Sequence, residues 1–129
     1  MNKEDHVLEW IAMADTDIEA AKFLTGMRPQ PAGVICFHCQ QSAEKYLKAF
    51  LVSCNEAVPK IHDLADLNRR CVRHDEDFSS IEHQCIRLAG YAVETRYPYV
   101  LNLNEDDARI AIVDAVEIRR FISQKIGNI

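Results

Sequence analysis

Residues 34 to 52, VICFHCQQSAEKYLKAFLV, contain neither Gly nor Pro, and the apolar residues Ile35, Cys36, Cys39, Ala43, Tyr46, Leu47, Phe50 and Leu51 recur at steps of three and four. That spacing predicts a helix with a wide buried face. So broad an apolar side needs other elements around it, and the rest of the chain reads as those surroundings. His38, Gln41, Lys45 and Lys48 fall on the opposite side, in one line at steps of three, four and three. Glu44 stands one turn before Lys48, an ion-pair spacing that contributes about 0.2 to 0.5 kcal/mol. On spacing alone, a solvent-facing helix side is the simpler reading of this polar line. An anion-binding face is the other.

A first helix is expected from Lys3 to Thr25, with Val7, Ile11, Ala14, Ile18 and Ala21 on its apolar stripe and Asp15, Asp17, Glu19 and Lys22 mostly outside it. Gly26 and the run Arg28-Pro29-Gln30-Pro31 end it, because Pro lacks the amide donor and clashes with the preceding turn. The second helix then runs from Pro31 or Ala32 to Cys54. A short third helix carrying Leu64, Leu67 and Cys71 is expected with His62 as its cap and an end near Arg73 or His74. His74-Asp75-Glu76-Asp77 reads as a solvated connector. A fourth helix should start at Ser79 or Ser80 and stop by Tyr97, since Pro98 disfavours helical geometry before it. Asn104, followed by Glu105, Asp106 and Asp107, is an N-cap with acids at the positive end of the last helix. The expected fold is all-α: one domain, 1–129, forming an antiparallel up-and-down bundle of four long helices plus one short helix.

Composition narrows the function. A formal charge of -5 argues against a general nucleic-acid coat, because phosphate affinity comes from clustered Lys and Arg, although it leaves room for a local basic cleft. No apolar run approaches the length that spans a bilayer, and the start MNKEDH is not a signal peptide. A cytoplasmic protein without membrane contact is expected. The five Cys then read as reduced, small hydrophobes. Cys36-x-x-Cys39 has no second ligand pair at zinc-site spacing and lies within a continuous helical pattern, so core packing is expected rather than a metal site. There is no Gly-rich phosphate loop or nucleophile elbow, and no cofactor is expected.

Arg96-Tyr97-Pro98 is the sharpest remaining group. An Arg can grip phosphate or carboxylate through two parallel hydrogen bonds, and Tyr offers a stacking face. A structural Arg holding the last carbonyls of its helix explains the residue equally well. Taken in order, CFHCQQSAEKYLKAFL, the IHDL of residues 61 to 64 and the ETRYP of residues 94 to 98 resemble the HEPN family, small helical domains of bacteria, archaea and some eukaryotes. The resemblance covers nearly the whole chain and implies the same helical bundle. It also implies a functional groove at Gln41, Glu44, Lys45, Lys48 and His62, with nucleotide or partner binding by Gln41, Lys45, Lys48, His62, Arg96 and Tyr97. A homodimer is implied too, together with association with a minimal nucleotidyltransferase made as a separate small protein, as in toxin and antitoxin pairs. Trp10, Phe23, Phe37 and Phe50, apolar on more than one side of the first two helices, independently motivate the dimer.

Catalytic HEPN proteins resemble one another in an Arg followed, after four to six residues, by His, and act as metal-independent endoribonucleases. Here Asn102 and Leu103 stand at that distance from Arg96. Asn exchanges no proton near neutral pH, so a non-catalytic binding and interaction module is the leading expectation. Arg69 and His74 also satisfy the spacing, but at the end of the short third helix. Two alternatives stay open: an RNA-cleaving toxin using Arg96 with His62 as proton carrier, and a purely structural dimeric partner subunit.

Overall fold

A computed structural model describes residues 2–92 and 102–127, and every regular element in it is helical. The elements are α1 (Lys3–Leu24), α2 (Ala32–Ser53), α3 (Leu64–His74), a 3₁₀ helix (Glu76–Ile81), α4 (Glu82–Ala89) and α5 (Glu105–Ile126). Two long helices start with the same device. Asn2 accepts from the Asp5 amide while Asp5 accepts from the Asn2 amide, and Asn104 and Asp107 repeat the exchange at α5. Each box satisfies amides that a helix start leaves without partners.

The α2 helix is the axis of the bundle, packed by α1, α3, α4 and α5. Its Ile35, Tyr46, Leu47 and Leu51 are fully buried, as are Ile18 of α1, Leu67 of α3 and Ile118 and Ile122 of α5. Phe78 of the 3₁₀ helix joins the layers, its ring centroid 4.3 Å from that of Phe50 in a tilted contact and 4.9 Å from that of Phe121 in an edge-to-face one. Val7 of α1 packs with Ala49 and Val52, whereas Asp17 meets His38, so α1 and α2 run antiparallel. No described helix is long and apolar enough to cross a membrane.

The all-α class and the bounds of α1, α2, α3 and α5 match expectation to within a residue or two. Four details differ. The cap of α3 is Asp63, whose carboxylate accepts from the Asp66 amide; His62 precedes it and turns back to α2. The connector after His74 is ordered rather than a solvated loop, because Asp75 caps the 3₁₀ helix and Asp75 and Asp77 both hold Lys125, at 2.8 and 2.6 Å. A 3₁₀ turn precedes α4 because Phe78 and Ile81, three residues apart and both buried, face one way at three residues per turn. The fourth helix stops at Ala89, with a turn and bend over residues 90–92, and residues 93–101 lie outside the described residues. Phe50 is interior, which removes it from the argument for a partner; Phe23, 86% exposed, stays in it.

Candidate functional site

The polar line of α2 is not a solvated side. His38 and Lys45, and likewise Gln41 and Lys48, are seven residues apart, and the two pairs are offset by about 60° around a helix of 3.6 residues per turn. The first pair faces α1. Asp17, largely buried, stands between them, with Oδ1 2.9 Å from His38 Nδ1 and Oδ2 2.5 Å from Lys45 Nζ. Beside them Ser42 donates to the Ala14 carbonyl at 2.8 Å, a contact that small side chains on both helices permit. Asp17, expected mostly outside the apolar stripe of α1, is instead buried with Ala14, Ile18 and Ala21, because α2 covers it.

The second pair belongs to a different cluster. Lys48 is only 4% exposed and donates to Glu44 Oε2 at 2.9 Å, while its ammonium lies 5.8 Å from the Trp10 ring centroid. Glu44 Oε2 also meets His62 Nδ1 at 2.9 Å, and Gln40, fully buried, spans Glu44 Oε1 and the His62 carbonyl at 3.4 Å each. Gln41 donates to Gln40 Oε1 at 2.8 Å. Glu44 is thus held by a cation, an imidazole and an amide, as a buried carboxylate must be.

A carboxylate only accepts, so Nδ1 of His38 and of His62 carries a proton in each pair, and Nε2 is the ring nitrogen turned away from the carboxylate. The two rings differ in access. His62 is 74% exposed and His38 29%. A carboxylate-oriented imidazole with an accessible Nε2 is the arrangement of a general base, and His62 has it.

The structure therefore brings Gln41, Lys48 and His62 together around Glu44 and places Lys45 in a separate cluster with His38 and Asp17. Arg96 and Tyr97 lie outside the described residues. Asp17 and Gln40 went unnoticed as site residues; their signal was a polar side chain at a position that must be covered once α2 is central. Arg69 pairs with Asp66 and His74 with Glu56, so these two residues serve separate surface contacts.

The thiols belong to the core. All five Cys are free, and burial pushes Cys36 and Cys85 up to about 12, with Cys39 and Cys71 raised further. Among the described residues no group of three His, Cys, Asp or Glu side chains is placed to hold a metal. On the far side of the bundle Arg87 grips the buried Asp114 with two hydrogen bonds, of 2.9 and 2.8 Å, tying α4 to α5.

A family model described as the HEPN domain matches residues 7–126. The fold is similar to the crystal structure of an archaeal HEPN homologue, with 23% identity, a TM-score of 0.73, and 94% of this chain and 98% of that one covered. It is also similar to the crystal structure of a protein from Thermus thermophilus, with 24% identity, a TM-score of 0.75, and coverage of 92% and 97%. No curated protein matches the sequence closely enough to count as a relative.

Proposed function

This chain belongs to the HEPN domain family, and from that premise we propose that it works as a non-catalytic binding and interaction module, dimeric and paired with a minimal nucleotidyltransferase in the manner of toxin and antitoxin proteins. The observation that supports this reading is the use of both stripe lysines inside the fold. Lys45 and Lys48 are each engaged by a carboxylate with little solvent access, so their charge holds the bundle and is not open to a phosphate. Phe23, Met27, Leu8 and Val113, meanwhile, keep large apolar surface in water, which suits protein partners.

Nucleotide binding, in this reading, falls to the accessible edge of the second cluster, His62 and Gln41, together with Arg96 and Tyr97. Lys45 and Lys48 then act as positioning residues. Co-expression with a separately encoded minimal nucleotidyltransferase, followed by native mass measurement, tests the pairing; a stable complex is the expected result and two separate species the contrary one. Melting with millimolar ATP or GTP tests the ligand. Saturation at 100 times the dissociation constant adds about 2.7 kcal/mol of stability, and an unchanged melting temperature favours the purely structural subunit.

One observation favours a second reading, the RNA-cleaving toxin. His62 is oriented by Glu44 and open at Nε2, as a proton carrier requires. Under that reading His62→Ala and Arg96→Ala each abolish cleavage of single-stranded RNA in the presence of chelator. Wild-type protein that leaves such RNA intact removes it.

A further inference from the structure

The α1 and α5 helices both rest on α2 but leave a trough between them. Val7 and Trp10 meet Ile126 at one end, whereas Thr25 shares a hollow with Ile112 and Val113 nearer the other, so α1 and α5 run antiparallel. The main hollow of this seam has a volume of about 630 Å³. Its apolar residues are Ile11 and Val116; on the α1 wall stand Asp15 and Glu19, on the α5 wall Arg119 and Arg120. One wall is acidic and the other basic, at the same height along the bundle.

These charges differ in how free they are. Asp15 accepts from the hydroxyl of the buried Tyr46, whose proton burial and Asp15 hold firmly while Arg119 acts the other way. Asp15 and Arg119 are therefore anchored to the core. Among the described residues Glu19 and Arg120 make surface pairs within their own helices, Glu19 with Lys22 at 3.7 Å and Arg120 with Glu117, and neither Lys22 nor Glu117 lines the hollow. Exposed Leu8 and Phe23 extend the same α1 wall, in line with Asp15 and Glu19 at steps of seven, four and four.

We infer that the α1/α5 trough is the face on which a second copy of this chain docks, with the two-fold axis parallel to the helices, so that the acidic wall of each protomer lies on the basic wall of the other. This rests on the dimer reading above and adds where the interface lies and how it is oriented. The charge pattern selects the axis. A two-fold axis across the trough would set α1 on α1, acids against acids, and α5 on α5, arginines against arginines. An axis along the trough sets α1 on α5 in both halves at once, as an isologous contact requires. Ile11, Val116, Leu8 and Phe23 then become shared apolar surface.

Sedimentation equilibrium of the full chain, of Glu19→Arg, of Arg120→Glu and of the double variant tests the inference, with circular dichroism as a check that each variant is folded. Each single reversal creates two like-charge contacts per dimer, so the dissociation constant should rise about tenfold. The equimolar mixture of the two single variants, and the double variant alone, should return to wild-type association, because both restore opposite charges at each crossing. Single variants that dimerise as tightly as wild type overturn this interface while leaving the dimer itself standing. A monomeric wild type overturns the dimer reading and this inference together.

Discussion

Two clusters on α2 use the same chemistry, a carboxylate shared by a lysine and a histidine, yet they differ in what they join. In the first, Asp17 comes from α1 and both partners come from α2, so the cluster fastens one helix to another. In the second, Glu44 and Lys48 lie on α2 itself and the histidine arrives from the segment before α3. The first has a buried carboxylate and two partly covered partners. The second combines a lysine almost without solvent and an imidazole that is mostly in it. Identical functional groups therefore make a clamp in one place and an accessible, pre-oriented ring in the other, and position relative to the packing helices decides which.

Breaking the second cluster at its buried end should have the largest effect. Lys48→Met leaves Glu44 enclosed without its cation, and loss of one partner of a buried pair costs about 3 kcal/mol or more; urea unfolding should show a loss of that size. Asp17→Asn breaks the first. Because Lys45 and His38 can reach water, the loss should be smaller, about 1 to 2 kcal/mol by the same assay. A result in which Asp17→Asn costs more than Lys48→Met would reverse the comparison.

Alkaline titration probes the thiols of the apolar core. Cys36 and Cys85 have folded-state values near 12 against an ordinary 9.0, so the folded state holds these protons more tightly. Their contribution to stability is full below pH 9, is lost as pH rises above 9 and levels off near 12. Melting temperature should fall over that window, and Cys36→Ser with Cys85→Ser should flatten the fall. His62→Ala should have the smallest effect on stability, within about 0.5 kcal/mol, since the ring is mostly solvated. Its effect on ligand or RNA should be out of proportion to that, which is how an accessible ring differs from a clamp.

Much of the bundle was legible in the chain. The long apolar periodicities located α1, α2 and α5, and Asn104 with its acids fixed the start of α5, because capping chemistry is local. The placement of the site was less legible. Lys45 and Lys48 have the same spacing whether a helix side faces water or a neighbour, and only packing on several sides distinguishes the two. Once α2 is central, its cations need carboxylates, and Asp17 on α1 is the acid that an antiparallel neighbour brings to Lys45. His62 looked like a cap because it precedes Asp63 by one residue, but a short side-chain oxygen reaches a helix amide better than an imidazole does. Glu44 then explains where the ring goes.

The first cluster also bears on the order in which the bundle assembles. Asp17 and Lys45 are 28 residues apart, whereas α5 packs chiefly on α2, whose last residue Ser53 precedes Glu105 by 52 residues; Arg87 and Asp114, 27 apart, tie α5 only to α4. Loop-closure entropy grows with the logarithm of separation, by about 0.6 kcal/mol per doubling, and most of the span from Asp17 to Lys45 is already stiffened as helix. The α1–α2 hairpin can therefore close while the sequence of α5 is still being made, with the charge clamp fixing its register. In pulse-labelled hydrogen exchange during refolding, amides of α1 and α2 should gain protection before those of α5; simultaneous protection would mean that the clamp forms only with the complete core.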